Sequence, residues 1–178
     1  MINFDLINIP DIIFGKDMEQ RCGELLKSFG SRKVLIHHSG EPFVLPLIEK
    51  VKGYLTQAGL EYVELDGVVP NPVLSKVYEG IALCRKEHVD SVLAVGGGSV
   101  IDSAKGIACG TPYDGDVWDM YRMVAPVKQR LIVGVISTFA GMISVSSTVL
   151  KLTVARQVSV AELLFASLPV TLMNFCME

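Results

Sequence analysis

A glycine-rich segment, residues 96–105, contains the residues of this chain best suited to chemistry. Three consecutive glycines are followed by Ser99, Asp102 and Lys105. The preceding apolar run, 91–95, is typical of a buried parallel strand, and apolar residues at helical spacing follow. Glycines at such a turn let backbone N–H groups approach an anion, and the helix N-terminus adds partial positive charge. The segment therefore predicts a phosphate or pyrophosphate site, with a tight turn that binds no ligand as the alternative.

The polar residues of this segment have expected roles of their own. Ser99 is predicted to be the N-cap of the helix, with Asp102 as the acidic partner of a capping box. Lys105 either contacts the ligand or pairs with Asp102 one helical turn away. Two familiar phosphate loops are excluded. The dinucleotide fingerprint needs glycine where the chain has Ile101, and a nucleoside-triphosphate loop needs lysine directly after the glycines.

The string Gly-Gly-Gly-Ser-x-x-Asp-x-x-Lys resembles the cofactor loop of the iron-containing (group III) alcohol dehydrogenases. Residues 12–16 resemble the family's opening strand and turn, 69–72 its Pro-Asn-Pro element, and 113–119 a segment typical of its butanol-dehydrogenase-like branch. The resemblance extends in order from about residue 3 to about residue 141. It implies NAD(P)-dependent hydride transfer between a small-molecule alcohol or aldehyde and nicotinamide.

The residues that we expect at the cofactor, NADP or NAD, follow successive strands: Gly97, Gly98, Ser99 and Asp102, with Asn71, Thr138 and Ala140. The glycines and Ser99 would cradle the pyrophosphate, while Asp102 shapes the loop or meets the ligand. By resemblance Asn71 contacts the cofactor, although a turn residue between two prolines is an equal alternative. By resemblance, too, Thr138 and Ala140 lie near the pyrophosphate and the nicotinamide ribose.

The end of the second strand is expected to face the adenosine ribose, where a carboxylate would accept the 2′-hydroxyl and repel a 2′-phosphate. The chain has His37, His38, Ser39 and Gly40 there, and Glu41 is the nearest acid. Ser39 and the backbone at Gly40 can take a 2′-phosphate, so the pattern slightly favours NADP over NAD, with His38 and Ser39 as cofactor contacts. Adjacent histidines on a strand point to opposite faces, so we interpret them as a solvated pair and not as metal ligands.

The resemblance also implies a metal ion that this chain is not expected to hold. Family members bind Fe²⁺ or another divalent ion, such as Zn²⁺, through one Asp and three His of a separate all-helical domain. Here the histidines are His37, His38 and His88, and none has the required spacing. We therefore expect no metal ligands and no catalytic residues in this chain, and we expect the helical metal domain to be absent.

Three functions compete at this point. The first is an NAD(P)-dependent alcohol dehydrogenase of the butanol or aldehyde type, of which this chain would be a truncated or frame-shifted, inactive form; a natural short protein is the alternative. The second is a non-catalytic dinucleotide-binding or interaction module. The third is the different chemistry of glycerol dehydrogenase and dehydroquinate synthase relatives, against which segment 113–119 favours the first.

The elements that must position these residues alternate between strands and helices. Apolar patterning predicts strands near 11–14, 33–37, 62–65, 91–95 and 131–136, with amphipathic helices between them. Short links between such elements predict an α/β fold, a Rossmann-like parallel sheet over 11–136 with flanking helices. Ligands collect beyond the carboxyl ends of parallel strands, where four loops converge. We divide the chain into a dinucleotide-binding domain, 1–141, and a divergent apolar tail, 142–178.

The composition excludes several other classes of protein. A net charge of −3 without a basic cluster argues against nucleic-acid binding. The N-terminus lacks the basic region of a signal peptide, and the apolar run at 163–173 is too short to span a membrane. The four cysteines are scattered, which is typical of reduced thiols in a cytoplasmic protein. A homodimer, or docking through the C-terminal tail, stays open as the form of association.

Overall fold

The computed structural model describes residues 11–14, 17–138 and 151–154. Six strands form one sheet in the order β1-β6-β5-β4-β2-β3. The strands are β1 (Asp11–Phe14), β2 (Lys33–His38), β3 (Glu61–Leu65), β4 (Ser91–Gly96), β5 (Ile132–Ser137) and β6 (Lys151–Val154). The helices are α1 (Cys22–Ser28), α2 (Leu45–Gln57), α3 (Leu74–Glu87), α4 (Gly98–Gly110) and α5 (Val117–Tyr121), with a 3₁₀ turn at Met18–Arg21.

The centre of the sheet is parallel, as the strand and helix alternation predicts. β2 pairs in parallel with both β3 and β4, and β4 pairs in parallel with β5. His38 lies opposite Val95, and Gly96 lies opposite Ser137, so these strands end together at one edge. Every residue of β4 is buried, because helices cover both faces of the sheet and an alternating polar face is not needed.

Two hydrophobic clusters lie on opposite faces of the sheet, and successive residues of each strand enter different clusters. The first cluster joins Leu35, Val92 and Ala94 to the buried sides of α3 and α4. The second joins Val34, Ile36, Leu93 and Val95 to the buried sides of α1 and α2. The prediction from the helical spacing of apolar residues is therefore confirmed: each of these helices buries one apolar face against the sheet.

The edge of the sheet near β1 departs from the predicted parallel arrangement over 11–136. β1 pairs antiparallel with β6, and β6 pairs antiparallel with β5. The prediction was wrong for β1 because local patterning marks a strand without naming its partner, and here the partner is distant in sequence. β6 lies within the segment interpreted as the tail; most of that segment is outside the described residues, and the division at residue 141 stays a prediction.

No helix within the described ranges is both long enough and apolar enough to cross a membrane.

Candidate cofactor site

The glycine loop lies at the carboxyl edge of the sheet, between the end of β4 and the start of α4. Gly97 occupies the N-cap of α4, and no side chain caps this helix. The first N–H groups of an α-helix have no partner within the helix, so here they are open to an anion. The predicted capping role of Ser99 was wrong because α4 begins at Gly98, two residues earlier than that role requires, which moves Ser99 and Asp102 out of capping-box positions.

Close packing requires glycine at residue 96, the first of the three glycines that lead into α4. A Cβ atom on Gly96 would lie 2.7 Å from Cγ2 of Val100. The carbonyl of Gly96 also accepts a hydrogen bond of 3.1 Å from the backbone N–H of Thr138, at the end of β5. These contacts join the predicted site residue Thr138 to the glycine loop. Ala140 lies outside the described residues.

The Pro-Asn-Pro element contacts the glycine loop directly. The backbone N–H of Asn71 donates to Oγ of Ser99 at 3.2 Å. Asn71 has a φ of 57°, in the left-handed region that asparagine tolerates better than most residues. Since Ser99 accepts this bond, its own hydroxyl proton remains able to donate to a phosphate oxygen. The structure thus brings together two residues, 28 positions apart, that the sequence assigned to the same site.

Asp102 lies on the second turn of α4 and pairs with Lys105. The distance from Lys105 Nζ to Asp102 Oδ1 is 3.9 Å, as expected for an i,i+3 pair. Burial raises the pKa of the Asp102 carboxyl to about 6, and the nearby charge of Lys105 opposes this shift. Burial therefore disfavours the ionised form of the Asp102 carboxyl, close to the N-terminus of α4.

The interpretation of His37 and His38 as a solvated pair was wrong. Both side chains are 0% exposed, because β2 is an interior strand with helices on both faces. Their rings do point to opposite faces of the sheet. His37 Nδ1 lies 2.9 Å from the carbonyl oxygen of Leu65, and its Nε2 lies 2.8 Å from Oγ of Ser103. Nδ1–H therefore donates to the carbonyl and Nε2 accepts from the hydroxyl, while burial lowers the pKa of His37 to about 4.

His38 supports the turn that follows β2. The backbone N–H of Gly40 donates to its Nδ1 at 3.0 Å, so Nε2 carries the proton and donates to Oε1 of Glu64 at 2.8 Å. The other carboxylate oxygen of Glu64 lies 2.7 Å from Nζ of Lys52. Partial burial opposes ionisation of Glu64, but hydrogen bonds from Lys52 and His38 outweigh it and lower the pKa of Glu64. Both ring nitrogens of His38 are therefore bonded within the protein, beneath the predicted ribose position.

Two carboxylates flank the turn above His38. Ser39 Oγ donates to Oε2 of Glu41 at 3.2 Å. A Cβ atom on Gly40 would lie 3.4 Å from Oδ2 of Asp66, which follows β3. Sequence reasoning missed Asp66. The available signal was an acid directly after a strand, since β3 runs parallel to β2 and the two strands end at the same edge.

Comparison with known proteins identifies the family. Residues 10–168 match the family described as iron-containing alcohol dehydrogenase. The chain belongs to this family. Its match to an iron-containing alcohol dehydrogenase agrees with the resemblance that the glycine loop and the Pro-Asn-Pro element indicate.

Proteins similar to this chain include butanol dehydrogenases named as NADH-dependent and as NADPH-dependent. A probable NADH-dependent butanol dehydrogenase 2 of Bacillus subtilis is 40% identical over 140 residues, which is 79% of this chain and 36% of that protein. An NADPH-dependent butanol dehydrogenase of Clostridium saccharobutylicum is 36% identical over 95 residues, 53% of this chain and 24% of that protein. The crystal structure of NADH-dependent butanol dehydrogenase A of Thermotoga maritima superposes with a TM-score of 0.73 at 40% identity, covering 77% of this chain and 35% of that one. The match thus spans about a third of the length of such relatives.

The described residues of this chain form no site for the metal ion of the family. Among them, no group of three or more His, Cys, Asp or Glu side chains is placed to hold a metal ion. The ring nitrogens of His37 and His38 are hydrogen-bonded inside the protein. His88 closes α3 in a left-handed conformation, at the opposite end of the strand that leads to the glycine loop.

Proposed function

We propose that this chain binds a nicotinamide dinucleotide at the carboxyl edge of its sheet, as the nucleotide-binding part of an alcohol dehydrogenase of the butanol or aldehyde type. The observation that carries the proposal is the start of α4. A glycine N-cap without a side-chain cap stands at the end of a central parallel strand, where an open α/β sheet binds nucleotides. Butanol dehydrogenases named as NADH-dependent and NADPH-dependent match 79% and 53% of the chain.

The pyrophosphate has a defined set of partners in this proposal. The N–H groups of Gly98 and Ser99, in the first turn of α4, donate to its oxygens. The Ser99 hydroxyl adds a further donor, since its oxygen is already held by Asn71. Ser137, the last residue of β5, and Thr138 lie beside the glycine loop, and in this proposal they border the route toward the nicotinamide ribose.

The dinucleotide, when bound, supplies the hydride acceptor of alcohol oxidation. The residues of this chain bind and orient it, and the metal that the family uses to polarise the alcohol has no ligands among the residues described. We therefore propose that the 178-residue polypeptide binds the cofactor without oxidising alcohol by itself. A non-catalytic dinucleotide-binding module is the second candidate function, favoured by the same observation on the metal ligands.

Titration of the purified chain with NADH and NADPH, followed by nicotinamide fluorescence, tests binding. Gly98→Val should abolish binding of both cofactors, because a side chain at the start of α4 prevents backbone approach to the pyrophosphate. Gly53→Val is the matched control: Gly53 is exposed on α2, and a Cβ there meets nothing within 4 Å. If neither cofactor binds the original chain, or if Gly53→Val weakens binding as much as Gly98→Val, the proposed site is wrong.

A further inference from the structure

The turns after β2 and β3 form a small surface that we call the ribose edge, consisting of Ser39, Gly40, Glu41 and Asp66. It lies beside the glycine loop, since β2 is the strand that pairs with β4. In a dinucleotide fold the ribose of the adenosine half is held at the end of this neighbouring strand. The chemistry of the ribose edge therefore decides which dinucleotide the site accepts.

The two donors that the sequence offers to a 2′-phosphate at the ribose edge, the Ser39 hydroxyl and the Gly40 N–H, are already used. The N–H of Gly40 donates to Nδ1 of His38, and the hydroxyl of Ser39 donates to Glu41. The sequence had left both groups open for a phosphate. Because His38 is fully buried and also bonded to Glu64, turning its ring away would break two hydrogen bonds in the interior.

The charge of the ribose edge is unfavourable to a phosphate as well. Asp66 lies against Gly40, and Glu41 lies against Ser39. A cation does reach this region, because Nζ of Lys76 lies 3.4 Å from the Cβ position of Gly67. That ammonium is paired with Glu79, at 2.6 Å from its carboxylate. The carboxylates of Glu41 and Asp66 therefore lie at the ribose position, while the nearby ammonium of Lys76 is paired with another carboxylate.

Resting on the function proposed above, we propose that the ribose edge selects NAD over NADP, with Asp66 as the main specificity residue and Glu41 as its support. Asp66 accepts the ribose 2′-hydroxyl, and both carboxylates repel a 2′-phosphate. His38 is a positioning residue in this arrangement, because it holds the Gly40 turn against Asp66. This reverses the slight preference for NADP that the sequence indicated.

The test is a pair of equilibrium titrations, NADH against NADPH, on the purified chain and on Asp66→Asn. The original chain should bind NADH at least about tenfold more tightly than NADPH, as expected for like charges near a surface. Asp66→Asn should tighten NADPH binding and weaken NADH binding. The ratio of the dissociation constant for NADPH to that for NADH should therefore fall about threefold or more. Glu61→Gln removes the same charge from the opposite end of β3, and it should leave the ratio unchanged.

The outcomes separate this proposal from the function on which it rests. Binding of both cofactors with no preference, or with NADPH preferred, overturns the selection of NAD while the dinucleotide site stands. A ratio that Asp66→Asn leaves unchanged, or a loss of both affinities together, overturns the role of Asp66. Failure of the original chain to bind either cofactor overturns the site and the selection with it. If Asp66 were only structural, its replacement would weaken the binding of NADH and NADPH together and would not shift the two affinities in opposite directions.

Discussion

Replacing the buried carboxyl of α4 by an amide, Asp102→Asn, should stabilise the protein at neutral pH. The side chain is only 15% exposed, and burial raises its pKa from 3.8 to about 6. A rise of this size in the pKa of Asp102 corresponds to about 3 kcal/mol of folding free energy. The amide keeps the shape of the carboxyl and carries no charge, so the variant should gain up to about 3 kcal/mol where the carboxyl is ionised.

The pH dependence gives the sign of this effect. Between pH 3.8 and about 6 the folded state holds the Asp102 proton and the unfolded state does not. As pH rises through that window, the buried Asp102 carboxyl must ionise, and the unfolding free energy of the original chain falls. The full cost of this ionisation is present above about pH 6. The advantage of Asp102→Asn should accordingly be largest near neutral pH and should shrink toward zero as pH falls to about 4.

Urea unfolding of both proteins at several pH values measures this difference. Asp114→Asn is the matched control, because Asp114 is exposed in the loop after α4 and its replacement should change stability by less than about 0.5 kcal/mol. A variant Asp102→Asn that is less stable than the original chain at neutral pH would refute the reasoning. So would an advantage that does not change with pH. Either result would mean that the ionised carboxyl makes favourable contacts that outweigh its burial.

Three further measurements test the packing and the chemistry. Gly80→Ala should cost about 1–3 kcal/mol in urea unfolding, because the new Cβ meets the Ile107 side chain, whereas Gly53→Ala in open space should be neutral or stabilising. Ser103→Ala should cost about 1–3 kcal/mol by leaving Nε2 of His37 without a partner in the interior, and a cost near zero would contradict the hydrogen bond assigned there. The purified chain with NADP or NAD and Fe²⁺ or Zn²⁺ should oxidise butanol no faster than a blank, and turnover that a chelator abolishes would show a metal site that we did not recognise.

The sequence by itself determined the parallel centre of the fold and the position of the glycine loop. Strands such as β4 are continuous apolar runs, and helices such as α3 bury residues at helical spacing, so both are specified by neighbours along the chain. The need for glycine at the end of β4 is also set by residues close in sequence, since a Cβ atom at Gly96 would meet Val100, four residues away. The family resemblance rests on these same local patterns.

Only the tertiary structure decided the burial, charge and hydrogen bonding of the residues around the ribose edge. Burial of His37 and His38 depends on helices that pack over both faces of β2, and two polar residues at the end of an apolar run do not by themselves indicate that those faces are covered. Asp66 faces Gly40 because β3 pairs with β2, and such pairing joins residues distant in sequence. The antiparallel partner of β1 likewise comes from the other end of the chain. Contacts between distant segments set charge and hydrogen bonding at the ribose edge, so the proposed preference for NAD rests on the fold and not on a local sequence motif.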